Sequence, residues 1–300
     1  MSESKNKLNI KNMKPNPCLG VIRLDYDYPA AKGDIDCPDT FCYDVYYKVV
    51  PGLTFEMCQR GKLEGEVRTR FQESIDWLMT EKKVSCITGD CGFMMYYQGF
   101  AMKEIRRERS VAIVMSSLLQ IPAMLCGLSI EEDIMVLTAN EENLQKMEPH
   151  FKESGLNINQ KRIHIVGCDN VPGFEAVAEG GKVDSKKVQP GIVALVKEKL
   201  NEFPKTKAIL LECTELPHYA NAIRCEIGLP VFDAITCCNF FINGFQEEDR
   251  FGKQGWQEDW DGVQEEYIFA QNVKLENKVY LVNKPTTAPV PAEFTTTNNC

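Results

Sequence analysis

FQESIDWLMTEKKVSCITGDCGFM (71–94) and GIVALVKEKLNEFPKTKAILLECTELP (191–217) have the same order: an amphipathic stretch, a β-rich run, then a cysteine. The cysteine is Cys91 in the first copy and Cys213 in the second. Phe71, Ile75, Leu78 and Met79 share one helical stripe, and Ile192, Val196 and Leu200 share another. The runs before the cysteines, VSCITGD (84–90) and KAILLE (207–212), are apolar on consecutive positions, as in parallel strands buried on both faces. CLGVIRLDY (18–26), SVAIVMSS (110–117), DIMVLTA (133–139), RIHIVGC (162–168) and LPVFDAI (229–235) read the same way. Strands alternating with helical periodicity predict an α/β fold with parallel sheets.

The repetition predicts two pseudo-symmetric lobes with a site in the cleft between them. The first lobe is expected over 18–118 and 225–282, with LPVFDAI rejoining it late in the chain, and the second over 119–224. Residues 1–17 read as a flexible N-terminus and the Pro/Thr-rich 283–300 as a flexible tail. The acidic, Trp-bearing stretch from about 245 to 283 reads as a closing appendage.

The chain has 300 residues, enough for one large or two medium α/β domains. A net charge of −9 repels a phosphate backbone, so no nucleic-acid partner is expected. No stretch approaches the 18 or so uninterrupted apolar residues that a bilayer span needs. The N-terminus has lysines with no apolar run behind them, unlike a secretory signal. Thirteen cysteines without such a signal read as reduced thiols in a cytoplasmic setting, most of them small core residues. Cys237–Cys238 sits in an apolar helix-like run and reads as core. The three histidines are scattered and no CxxC, GxGxxG or P-loop occurs, so neither a metal nor a cofactor is expected.

Cys91 and Cys213 each stand where a strand ends and a helix is expected to begin. Ligands of α/β sheets bind at the carboxyl ends of strands, and a helix N-terminus stabilises a thiolate whose thiol otherwise has a pKa of about 8.5. Backbone N–H groups there can hold a carboxylate and the enolate it becomes. Two thiols facing each other across a cleft suit proton transfer at a substrate carbon. Asp25, Tyr26 and Tyr28 close the first strand, and Tyr96 follows Cys91; aromatic faces with carboxylates suit an organic cation. Ser117 and Thr138 are hydroxyls at further strand ends, suited to binding a substrate.

LLECTELP (210–217) resembles the second catalytic-cysteine motif of the aspartate/glutamate racemase superfamily, whose members have two α/β lobes and use two thiols without a cofactor. By that resemblance Cys91 and Cys213 are the catalytic pair. Racemases follow the first cysteine with Asn-Thr, whereas Gly92 and Phe93 stand here. ITGDCGFMMYYQ (87–98), with RLDYDYPAAKGD (23–34), VVPGLTFEMCQRGKL (49–63), VGCDNVPGFEAVAEGGKVD (166–184) and LLECTELPHY (210–219), is more similar to the algal dimethylsulfoniopropionate (DMSP) lyases of that superfamily. The resemblance spans roughly residues 18–245. It implies a cofactor-independent lyase that forms dimethyl sulfide and acrylate by thiolate abstraction of the α-proton and β-elimination. It also implies substrate contacts at Gly92 and Thr214 and a homo-oligomer. The alternatives are an aspartate/glutamate-type racemase and a non-catalytic binder or thiol redox protein. The redox alternative requires a resolving thiol within disulfide reach.

Overall fold

The computed structural model describes residues 16–26, 29–104, 111–147, 160–177, 183–246, 267–269 and 280–282. Two four-stranded parallel sheets carry the fold. The first holds β1 (Leu19–Arg23), β2 (Val45–Val49), β3 (Cys86–Gly89) and β4 (Ala112–Val114) in the order β2-β1-β3-β4. The second holds β5 (Asp133–Thr138), β6 (Ile163–Gly167), β7 (Thr206–Leu211) and β8 (Val231–Phe232) in the order β6-β5-β7-β8. The two orders are the same. Each key cysteine therefore follows the third strand of its own sheet, at an inner position.

The central strands are apolar on both faces because both faces are covered. Helix Gly65–Thr80 buries Phe71, Ile75, Leu78 and Met79. It lies so close to β1 that a Cβ on Gly20 would stand 3.0 Å from Leu78, which is why that strand position carries no side chain. Helix Ser185–Glu202 opens on Asp184, whose side chain accepts from Lys187 N, and buries Val188, Ile192, Val193 and Val196. One apolar cluster draws on both sheets, joining Ile22, Ile87 and Phe93 to Ile134, Val136 and Leu210. Cys237 and Cys238 are buried against Leu19, Val21 and Cys86, as core residues.

β2 was not legible as a strand: VYYKV mixes tyrosine and lysine on a half-buried edge, so the apolar-run criterion passes over it. LPVFDAI also departs from expectation. Its strand does not rejoin the first lobe but pairs with β7 through Ile209↔Val231 and Leu210↔Phe232. Only the helix it leads into, Ala234–Asn243, crosses to the first sheet. Asp233 starts that helix with a capping box to Thr236, ending the strand after two residues.

Residues 1–246 form one compact unit and 247–300 a second, so the expected extension of the first lobe to 282 does not describe the later residues. In the second unit, Tyr267–Phe269 pairs antiparallel with Tyr280–Val282. The rest of the expected appendage, residues 1–15 and the tail 283–300 lie outside the described residues. Among the described residues no helix is long and apolar enough to cross a membrane.

Candidate active site

The backbone ladder runs one residue past each third strand. Asp90 N donates to Ile22 O (3.0 Å), and Glu212 N donates to Leu137 O (2.7 Å). An acid thus ends each strand and a cysteine begins each turn. Both thiols, Cys91 and Cys213, line one cavity with about 270 Å³ of empty space. Its other walls include three carboxyl groups, Asp90, Glu212 and Glu215, and the apolar Leu24, Phe55 and Phe93. Two bonds tie the sheets together beside it: Thr214 Oγ1 donates to Asp90 O (2.5 Å) and Ser117 Oγ to Leu211 O (3.0 Å).

The acids before the cysteines are held alike. Leu24 N donates to Asp90 Oδ2 (2.8 Å), and Thr138 Oγ1 donates to Glu212 Oε2 (2.8 Å). The remaining oxygens, Asp90 Oδ1 and Glu212 Oε1, are buried with no hydrogen-bond partner among the described residues. Glu215 accepts from Cys213 Sγ (2.8 Å) and from the Tyr26 hydroxyl (3.2 Å). Burial raises all three carboxyls, because the charged form loses its water. Glu212 is pushed up to about 7. Glu215 is pushed up to about 8, with Asp34 adding to the effect. Asp90 rises through burial and then through Asp36.

These shifts set a direction for stability. A carboxyl whose folded pKa is raised holds its proton more tightly when folded. Its stabilisation is complete below the ordinary value and is lost as pH rises through the folded one. The urea midpoint is therefore expected to fall from about pH 5 to about pH 8, with Glu212→Gln flattening the slope. An equal slope in wild type and variant would contradict the assignment of that proton to Glu212.

Both thiols are also pushed up. For Cys91 the first cause is a hydrogen bond shared with Cys58, followed by burial. For Cys213 it is burial, followed by Glu215 and Glu212. The expected thiolate stabilisation by helix N-termini is thus overturned. A 3₁₀ helix, Gly92–Tyr97, follows Cys91, and another, Pro217–Tyr219, follows Cys213. The α-helices begin only at Gln98 and Ala220, several residues past the thiols, while acids stand beside them.

Of the residues expected at the site, Cys91, Cys213, Tyr26, Gly92 and Thr214 line the cavity. Thr138 stands behind it and holds Glu212, while Ser117 fastens the sheets. Asp25 is exposed and accepts from Gly52 N (2.7 Å), which orients it to a turn outside the lining. Tyr96 packs over Gly61, also outside the lining. Tyr28 lies outside the described residues. Sequence reading gave no site role to Asp90, Glu212, Glu215, Phe55, Phe93 or Cys58. A signal existed for the acids: GDC and ECTE place one immediately before each cysteine. No role was read for Cys58, which lies in helix Phe55–Gln59 and shares a hydrogen bond with Cys91.

Gly92 follows from the same geometry. A Cβ there would collide with Glu212 Oε1 and with the Glu212 carbonyl oxygen, its Cδ lying 2.5 Å away. No side chain of any kind fits beside Cys91 while Glu212 keeps its place.

The chain is 48% identical over 274 residues to dimethylsulfoniopropionate lyase 3 of Emiliania huxleyi (strain CCMP1516), covering 90% of this chain and 70% of that protein. It is 44% identical over 262 residues to a dimethylsulfoniopropionate lyase of Durusdinium sp. clade D, covering 87% and 86%. Among solved structures, arylmalonate decarboxylase aligns with a TM-score of 0.50 at 14% identity, over 80% of this chain and 97% of that one, a likeness of fold alone. No family model matches the chain.

Proposed function

The chain belongs to the dimethylsulfoniopropionate lyase family and is a carbon–sulfur lyase, and from that premise we propose that it cleaves DMSP by thiol-based α-proton removal. The observation that carries the proposal is that Cys91 and Cys213 line the same cavity. DMSP is a zwitterion with a carboxylate at one end and a sulfonium at the other. A thiolate takes the α-proton, the electron pair becomes the Cα=Cβ bond, and the C–S bond breaks. Dimethyl sulfide leaves neutral, acrylate keeps the carboxylate, and one proton remains on the thiol.

The lining suits that charge pattern. The sulfonium is held by the rings of Phe55 and Phe93, whose centroids lie 6.2 Å apart edge to face, and by the neighbouring carboxyls. These replace Asp25 and Tyr96 in the expected set. A bound cation favours the ionised forms of the thiols and acids, offsetting the rise that burial imposes on them. The leading N–H groups of the Gly92–Tyr97 turn have no acceptor within that helix and can face the developing enolate. The elimination calls on no cofactor.

Incubation of the purified protein with DMSP, with dimethyl sulfide assayed in the headspace and acrylate in solution, is expected to show equimolar release. Absence of release combined with α-hydrogen exchange on aspartate or glutamate would favour a racemase. Absence of both, with ready disulfide formation at Cys91, would favour the redox alternative.

A further inference from the structure

Elimination differs from racemisation in its proton balance. A two-thiol racemase takes a proton with one group and returns one with the other. Elimination leaves one proton behind per turnover, so the thiol that accepted it must be discharged before it acts again. The two thiols have different neighbours for that purpose. Cys91 shares its hydrogen bond with Cys58, another thiol. Cys213 Sγ lies 2.8 Å from a carboxyl oxygen of Glu215.

Glu215 also stands at a boundary. A second cavity, with about 440 Å³ of empty space, adjoins the first, and among the described residues Glu215 alone lines both. The exposed Pro29 and Ala31 help to line the second cavity, so it faces solvent. The Tyr219 hydroxyl belongs to the same wall and is buried without a hydrogen-bond partner among the described residues.

We propose that Glu215 is a positioning residue that takes the proton from Cys213 after each elimination and delivers it to the second cavity. The step rests on the elimination reading above, with Cys213 as the base. In it the S–H bond of Cys213 breaks as an O–H bond forms on Glu215 Oε2. That proton then passes to water in the second cavity, restoring thiolate and carboxylate. Substrate becomes acrylate, dimethyl sulfide and one released proton, so atoms and charge balance.

Glu215 must be ionised to accept. Tyr26, Asp34, Asp36, Asp90, Cys91, Glu212, Cys213, His218 and Tyr219 face it or share one of its two cavities. With its folded pKa raised to about 8, the relay is blocked at lower pH and opens as pH rises through that value.

The test uses the full chain and the variants Glu215→Gln and Glu215→Asp. Rapid-quench acrylate measurement on Glu215→Gln is expected to show a fast first turnover of at most roughly one acrylate per site, then a steady rate about a hundredfold below wild type. Glu215→Asp is expected to recover most of the steady rate. In parallel, iodoacetamide labelling of Cys213 without substrate is read by mass spectrometry across pH. Wild type is expected to show a step near pH 8 that Glu215→Gln lacks. A steady rate within about twofold of wild type, or first and later turnovers slowed alike with no gain from aspartate, would overturn the relay. If wild type released no dimethyl sulfide, the elimination reading would fall. The labelling step would still decide the Cys213–Glu215 link, since its persistence in Glu215→Gln would break that link.

Discussion

Cys213→Ala is expected to lower kcat/KM for dimethyl sulfide release by about 10²–10⁴-fold, and Cys91→Ala by a similar factor, while both variants stay folded. The factor is that of a positioned proton-transfer group. Alanine keeps the backbone and the turn, and each side chain loses a sulfur facing a cavity together with its hydrogen bond to Glu215 or Cys58. The thermal midpoint should therefore move by a few degrees at most, which scanning calorimetry or circular dichroism can check. If the two thiols act as a unit, the double variant should be little worse than the poorer single one. Retention of more than about a tenth of wild-type kcat/KM in either single variant would remove that thiol from the mechanism.

Gly92→Ala is expected to damage activity and stability together. The added methyl meets the carboxyl and the backbone carbonyl of Glu212, the residue that joins β7 to Cys213. A collision with backbone cannot be relieved by a rotamer change. The turns bearing the two cysteines must move apart or Glu212 must leave its bond with Thr138. Overpacking of this kind costs about 1–3 kcal/mol, and an ångström-scale displacement of a reacting group costs about a hundredfold in rate. A drop in urea midpoint with a fall in kcat is the expected pair of results. Glu212→Gly in the same chain is expected to recover part of the lost stability by opening the space. Wild-type activity and midpoint in Gly92→Ala would show that the close approach is not needed.

Much of this was legible in the residues. Parallel strands buried on both faces announce themselves as continuous apolar runs, and the central β1, β3, β5 and β7 were found that way. The repeated order around Cys91 and Cys213 anticipated two sheets with the same strand order. The edge strand β2 was missed because half-buried edges mix polar and aromatic residues. LPVFDAI was expected to rejoin the first lobe as a strand, but β8 pairs with β7, since two residues of strand carry too little pattern to choose a neighbour. At the site, the thiols, Tyr26, Gly92 and Thr214 could be named from strand ends and motif resemblance. Glu212 stands beside its cysteine in the motif, and Glu215 two residues after it, but acids are common at the surface and only folding shows that these two are buried. The direction of the thiol shifts was misjudged for a similar reason. The distance from a cysteine to the first α-helical turn depends on 3₁₀ segments that the sequence does not distinguish from α-helix.

The most direct test of proton removal at the α-carbon is a competition between ordinary DMSP and DMSP carrying deuterium at that carbon. The unreacted substrate is then analysed by mass spectrometry. Thiolate abstraction in the cavity predicts that the remaining pool becomes enriched in the deuterated form as dimethyl sulfide is released. Release of dimethyl sulfide with no enrichment, and with a product other than acrylate, would contradict α-proton removal and point to displacement at the carbon bearing sulfur.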